Sequence, residues 1–239
     1  METSVLSRPQ LDCYQRVANP LHTLVVLAAV GATAFRGAMN VDAMRTAVNL
    51  NRVRMYERTI LSEWVMFALV VLGVAFAHSP LTTVLGEHWR SIRHALRDIG
   101  IGVGYSIISA LLLSVFGSVL HNADTDRAIR FLLPHGGLEM ALWVVLSVTA
   151  GICEEAVYRG YLQRQFMALT SNAPAGILLS AAMFALAHAY QGWRGAIVIA
   201  MDGALLGTLA HWRKSVRPGI IAHTWKDAWA PLLMTVHKH

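Results

Sequence analysis

The sequence predicts an all-α fold, a polytopic bundle of roughly seven transmembrane helices (six to eight) around an interior polar cavity. Three observations carry this expectation. Apolar residues make up 55% of the 239 and charged residues only 14%, where an ordinary soluble domain carries roughly a quarter charged. The apolar residues fall into long runs, close to the ~20 residues that a span requires. The runs also lack the alternation of a barrel strand, and backbone groups in lipid must close their hydrogen bonds within the segment, which leaves helices.

Residues 20–35 form the first apolar block. Residues 36–58 are rich in arginine and carry Val41, Met44, Val48, Val53 and Met55. That pattern predicts an interfacial helix. The second block, 60–78, is interrupted by Glu63, and 79–98 is polar, with Arg90, Arg93 and Arg97 around Trp89. Residues 99–120 are uncharged and form the clearest span. Gly100 with Gly104, and later Gly203 with Gly207, have the spacing of close helix contact. After a loop at 121–137, the fourth block runs 138–166. Pro174 suits the first turn of a fifth helix over 175–190. The sixth block, 195–212, contains Asp202. The seventh, 219–236, follows a basic turn of Arg213, Lys214, Arg217 and Pro218.

The net charge of +6 comes mostly from arginines between apolar blocks. There they face lipid headgroups. No basic stripe with interleaved aromatics appears, so nucleic acid is not an expected partner. Arginine and lysine divide almost evenly between alternate loops, and the orientation stays open. The N-terminus lacks the pattern of a cleaved signal peptide. Two cysteines, Cys13 and Cys153, do not make a disulfide framework.

Polar groups recur in the last four blocks: Glu154, Glu155 and Arg159, then His188, then Asp202, then His223, Lys226 and Asp227. An ionisable group at mid-bilayer costs about 2.5–3.5 kcal/mol on insertion scales. Such a set is tolerable only if its members meet one another or water, so they are expected to face one shared cavity. Glu155 and Arg159 stand four apart and can pair on a helix. Glu154 then points about 100° away and is left for another task. Phe184 and His188 share a face by the same spacing, as do His223 and Asp227. A carboxylate with an imidazole can share a water and take its proton. A second polar pair opposite can stabilise developing negative charge. Asp202 is expected either to accept from one of the histidines or to line the cavity.

These residues resemble a known family. Glu154-Glu155-Ala-Val-Tyr-Arg159 fits EExxxR, Phe184-Ala-Leu-Ala-His188 fits FxxxH, and His223-Thr-Trp-Lys-Asp227 fits HxxxN/D. In that order, on successive apolar segments, they look like the three motifs of the CAAX protease and bacteriocin-processing (CPBP/Abi) family, which includes the Ras-converting CAAX prenyl endopeptidase. The resemblance implies an intramembrane protease acting on a membrane-associated protein or peptide. It implies that Glu154 and His188 activate water and that His223 and Asp227 bind the oxyanion. Glu155, Arg159 and Phe184 would be structural support. It divides one membrane-embedded domain into membrane helices and interfacial segments over 1–137 and catalytic helices over 138–239. A prokaryotic member would lie in the plasma (inner) membrane.

The best-known members carry asparagine where Asp227 stands. An ionised aspartate cannot donate to an oxyanion. Asp227 is therefore either protonated or orients His223, with Lys226 beside it favouring the ionised form. Zinc is a further question, since Glu154, His188 and His223 are all possible ligands. No HExxH is present, and the metal-free route is the one expected. Two other classes compete. A non-catalytic immunity or scaffold protein would retain the motifs for folding, yet none of the catalytic residues is lost. A transporter would place similar groups at midplane but would show broken helices and a repeat, and the sequence shows neither.

Overall fold

The computed structural model describes residues 14–47, 49–120 and 130–236. Among them there is no strand. The chain builds α1 (Pro20–Thr46), α2 (Arg52–Phe76), a short α3 (Thr82–Leu85), α4 (Ile92–Leu120), α5 (Gly137–Thr170), α6 (Ala173–Ala187), α7 (Gly192–Arg213) and α8 (Arg217–Val236). The seven long helices are those expected. α1, α2, α4, α5 and α7 are long and apolar enough to cross a bilayer.

Local chemistry sets the helix starts. Asn19, Asn51 and Asn172 cap α1, α2 and α6. Each side-chain oxygen accepts a backbone N–H of the first turn, at 2.9, 3.0 and 2.9 Å. This satisfies donors that no earlier turn can reach. Pro20 and Pro174 occupy first-turn positions, where the missing N–H costs nothing.

The interfacial helix expected over residues 36–58 does not form. Residues 36–46 simply continue α1, and 52–58 begin α2. The chain breaks only where Ala47 turns extended and Asn51 caps the next helix. Arg36, Arg45, Arg54 and Arg58 lie on the outer faces of two long helix ends, Arg52 is half-buried and donates to the Phe131 carbonyl, and Val41 and Tyr56 turn inward.

Successive long helices run antiparallel. One end of the bundle gathers residues 77–91, 171–172 and 214–216; the other gathers 47–51 and 188–191. α5 packs against α2, α6 and α8, α6 packs against α7, and α8 also packs against α4. Half of the most apolar stretch of α5 is buried, against 22% for α1 and 17% for α2 and α4. α5 is thus the central helix, and the other three turn most of their surface outward.

Small residues set the close approaches. A side chain at Gly203 would meet the Ala181 backbone at 3.2 Å, and one at Gly207 would meet Ile177 at 3.1 Å, so the second glycine pair does serve α6–α7 contact. The first does not. Gly100 and Gly104 have nothing within 4 Å and face outward from α4. At Gly151 a Cβ would press on the Ile220 carbonyl at 3.0 Å and on Thr224, so this glycine lets α5 and α8 touch.

Candidate active site

The centre of α5 departs from α-helical geometry. Glu155–Leu162 is a π-helical segment in which the Gln163 N–H reaches back to the Tyr158 carbonyl. Such segments are rare and concentrate at functional sites. The local widening is stabilised from neighbouring helices. The Ser180 hydroxyl on α6 donates to the Tyr158 carbonyl at 2.6 Å, and the Gln163 amide donates to the Gly207 carbonyl on α7 at 2.9 Å.

Glu155 opens this segment and is fully buried, as is Arg159. Arg159 Nη1 lies 2.9 Å from Glu155 Oε1, the expected pair. The same Glu155 oxygen is also 3.0 Å from His223 Nδ1, whose N–H donates to it across the α5–α8 contact. Glu155 therefore joins the first motif to the third. The other ring nitrogen of His223, Nε2, faces Glu154 Oε2 at 3.6 Å and Asp227 Oδ2 at 3.5 Å. Both distances exceed a direct hydrogen bond. Glu154 and His223 are nearly enclosed, with side chains 11% and 8% exposed, whereas Asp227 is 42% exposed and marks the open side of the cluster. Glu154 Oε2 has no hydrogen-bond partner among the described residues.

His188 caps the end of α6. Its Nδ1–H donates to the Phe184 carbonyl at 2.9 Å. In the neutral ring this leaves Nε2 with its lone pair free to accept. Phe184 is the common platform. Its ring centroid lies 4.6 Å from that of His188, 6.0 Å from His223 and 5.0 Å from Tyr158. The Arg159 guanidinium sits 4.1 Å over its face, within cation–π range. The three motifs thus meet at one place.

Two sequence expectations are corrected here. Asp202 does not accept from a histidine; it is ion-paired with Lys226. Lys226 is accordingly directed to α7 rather than to Asp227. Adjacent residues on a helix diverge by about 100°, so Lys226 and Asp227 serve different neighbours.

Some residues near the cluster had no assigned role. Glu63 on α2, read only as an interruption, lies within electrostatic range of Glu154 and His223. The Trp143 indole N–H donates to the Asp227 backbone carbonyl at 2.8 Å and ties α8 to α5 at that level. Tyr190 packs its ring 6.0 Å from His188, and its carbonyl accepts from Arg45. Only the break in apolarity at Glu63 was visible as a signal.

Among the described residues, no three His, Cys, Asp or Glu side chains are placed to share a metal ion.

Residues 136–229, about two-fifths of the chain, match the Rce1-like family, described as type II CAAX prenyl endopeptidase Rce1-like. The match contains all three motifs and runs from the start of α5 to the middle of α8. No curated protein and no solved structure matches the chain significantly. The family so described is one of endopeptidases, and residues 136–229 are similar to it. With five helices fit to span a bilayer, the chain is a multi-pass membrane protein.

Proposed function

We propose that this protein is an intramembrane endopeptidase that hydrolyses peptide bonds of membrane-associated proteins or peptides. The observation that carries the reading is Glu154: a nearly enclosed carboxylate with one oxygen that has no hydrogen-bond partner among the described residues, 3.6 Å from the His223 imidazole. A buried carboxylate oxygen without a partner is costly unless it has a task.

In the proposed mechanism Glu154 and His188 Nε2 share a water and accept its proton as oxygen attacks the scissile carbonyl. The hydrogen bond from His188 Nδ1 to Phe184 supports that assignment, because it presents the basic nitrogen outward. The oxyanion is received by His223 and Asp227. His223 Nδ1–H is committed to Glu155, so donation from Nε2 requires the imidazolium form. Three carboxylates within 3.6 Å of the ring are suited to accompany that cation. The proton taken from water then passes to the leaving amine as the C–N bond breaks. The route needs no metal.

The substrate reading stops at a membrane-associated peptide, with prenylated C-terminal tails as the first class to test. In a prokaryotic source the enzyme would lie in the plasma membrane. The experiment is purification in detergent and incubation with a peptide library that includes farnesylated CAAX peptides. Wild type should cleave some members and Glu154→Ala none. Equal cleavage by both would overturn the reading.

A further inference from the structure

The proposed hydrolysis is short of a donor. His223 Nδ1–H is committed to Glu155, so the ring offers the oxyanion only Nε2. Asp227 stands 3.5 Å from that same nitrogen. In its ionised form this carboxylate accepts hydrogen bonds and donates none. Oxyanion sites work through several donors aimed at one point, and His223 alone is a single one.

Tyr190 brings a hydroxyl to the cluster. It lies in the short turn Ala189–Gln191 between α6 and α7, two residues after His188. The turn is held from both sides. The Arg45 guanidinium on α1 donates to the Tyr190 carbonyl at 2.9 Å, and the Gln191 backbone N–H donates to the His188 carbonyl at 2.9 Å. The half-buried ring rests against α1 at Gly37, where a Cβ would stand 3.7 Å from Cδ1. Its centroid is 6.0 Å from that of His188. A side chain held in this way can place its polar atom reproducibly.

The hydroxyl also has a defined polarity. The Gln191 side-chain amide donates to Tyr190 Oη at 3.3 Å. A phenol that already accepts in this way keeps its own proton to give. Carboxylates from three helices lie within electrostatic range of it: Glu154 on α5, Asp227 on α8 and Glu63 on α2. Tyr190 thus faces the groups that would surround the reacting carbonyl.

We propose that Tyr190 is a further catalytic residue, whose hydroxyl donates to the oxyanion beside His223 as water attacks. This rests on the peptidase reading above and adds to it a donor that does not depend on a proton at Asp227. No covalent bond to the phenol changes. Its O–H stays intact, and the hydrogen bond strengthens as charge gathers on the carbonyl oxygen.

The test is steady-state peptide cleavage in detergent by wild type, Tyr190→Phe, Asp227→Asn, the double variant Tyr190→Phe/Asp227→Asn, and Glu154→Ala. Tyr190→Phe removes the hydroxyl and keeps the ring against His188 and Gly37. It should lower kcat roughly a hundredfold, with KM and Tm close to wild type, because the interaction is made in the transition state. In the Asp227→Asn background an amide offers a replacement donor, so the same change should cost much less there. A tyrosine that only packs would show neither the kcat loss nor this coupling. Wild-type kcat in Tyr190→Phe would overturn the proposal. So would a change confined to KM, or a loss of equal size in both backgrounds. Glu154→Ala separates two failures. A wild type that cleaves no peptide, or cleavage that survives in Glu154→Ala, overturns the peptidase reading and this proposal with it. Cleavage abolished by Glu154→Ala and untouched by Tyr190→Phe overturns this proposal alone.

Discussion

Replacing Arg159 with methionine keeps the approximate length of the side chain and removes its charge. Arg159 and Glu155 have side chains 1% and 0% exposed, 2.9 Å apart. Breaking a buried pair by removing one partner costs on the order of 3–5 kcal/mol, because the remaining charge is left uncompensated. The guanidinium also covers the Phe184 face at 4.1 Å, an interaction worth up to about 2 kcal/mol when desolvated. The methionine recovers part of that packing. The net expectation is a loss near 4 kcal/mol, roughly a 10 °C fall in Tm for a chain of this length. The measurement is thermal unfolding in detergent, with folded yield by size exclusion. The double variant Glu155→Gln/Arg159→Met should recover most of the loss, since neither charge is then left alone. It should still be impaired as a peptidase, because His223 Nδ1 loses its carboxylate. An Arg159→Met protein with wild-type yield and Tm would refute the reasoning. So would a double variant no more stable than the single.

Asp227→Asn should keep much of the peptidase activity and Asp227→Ala should lose roughly a hundredfold if the residue is an oxyanion donor; steady-state rates of the folded variants decide. Phe184→Leu should lose on the order of 2–3 kcal/mol, since it removes buried ring volume and the cation–π contact with Arg159, and should lower kcat of the folded protein, because both histidines pack on that ring. Gly151→Val should reduce folded yield sharply by pushing α5 from the Ile220 carbonyl and Thr224. Gly100→Ala, facing open space in α4, should be neutral or stabilise by up to ~1 kcal/mol in thermal unfolding.

The helices were legible because lipid allows few solutions. A chain with runs near 20 apolar residues and asparagine or proline before them has little choice of fold. The motif residues were legible because charge in such runs needs a reason; His188 and His223 pack on Phe184, and Glu154 lies beside His223. What stayed hidden depends on neighbours rather than on spacing. The i,i+4 rule finds Arg159 for Glu155 but is blind to His223 on another helix. Likewise Lys226 pairs with Asp202 on α7, where sequence adjacency favoured Asp227. The α-helical period carries no mark of the π segment at Glu155–Leu162, whose carbonyls are met by Ser180 on α6 and by the following turn. Gly100 and Gly104 have the spacing of a contact motif, and only packing reveals that nothing lies against them. The arginine-rich stretch after residue 36 looked interfacial because charge density outweighed the absence of a helix breaker before Ala47.

The central claim is that Glu154 removes a proton from the attacking water. Glu154→Gln preserves the shape of the side chain and removes its basicity. The decisive measurement is the rate of peptide cleavage by purified, folded Glu154→Gln beside wild type and Asp227→Asn, on a substrate that wild type cleaves. The account predicts near-complete loss for Glu154→Gln with unchanged Tm within a few degrees, and substantial activity for Asp227→Asn. Cleavage by Glu154→Gln at a rate close to wild type, with the protein folded, would contradict it.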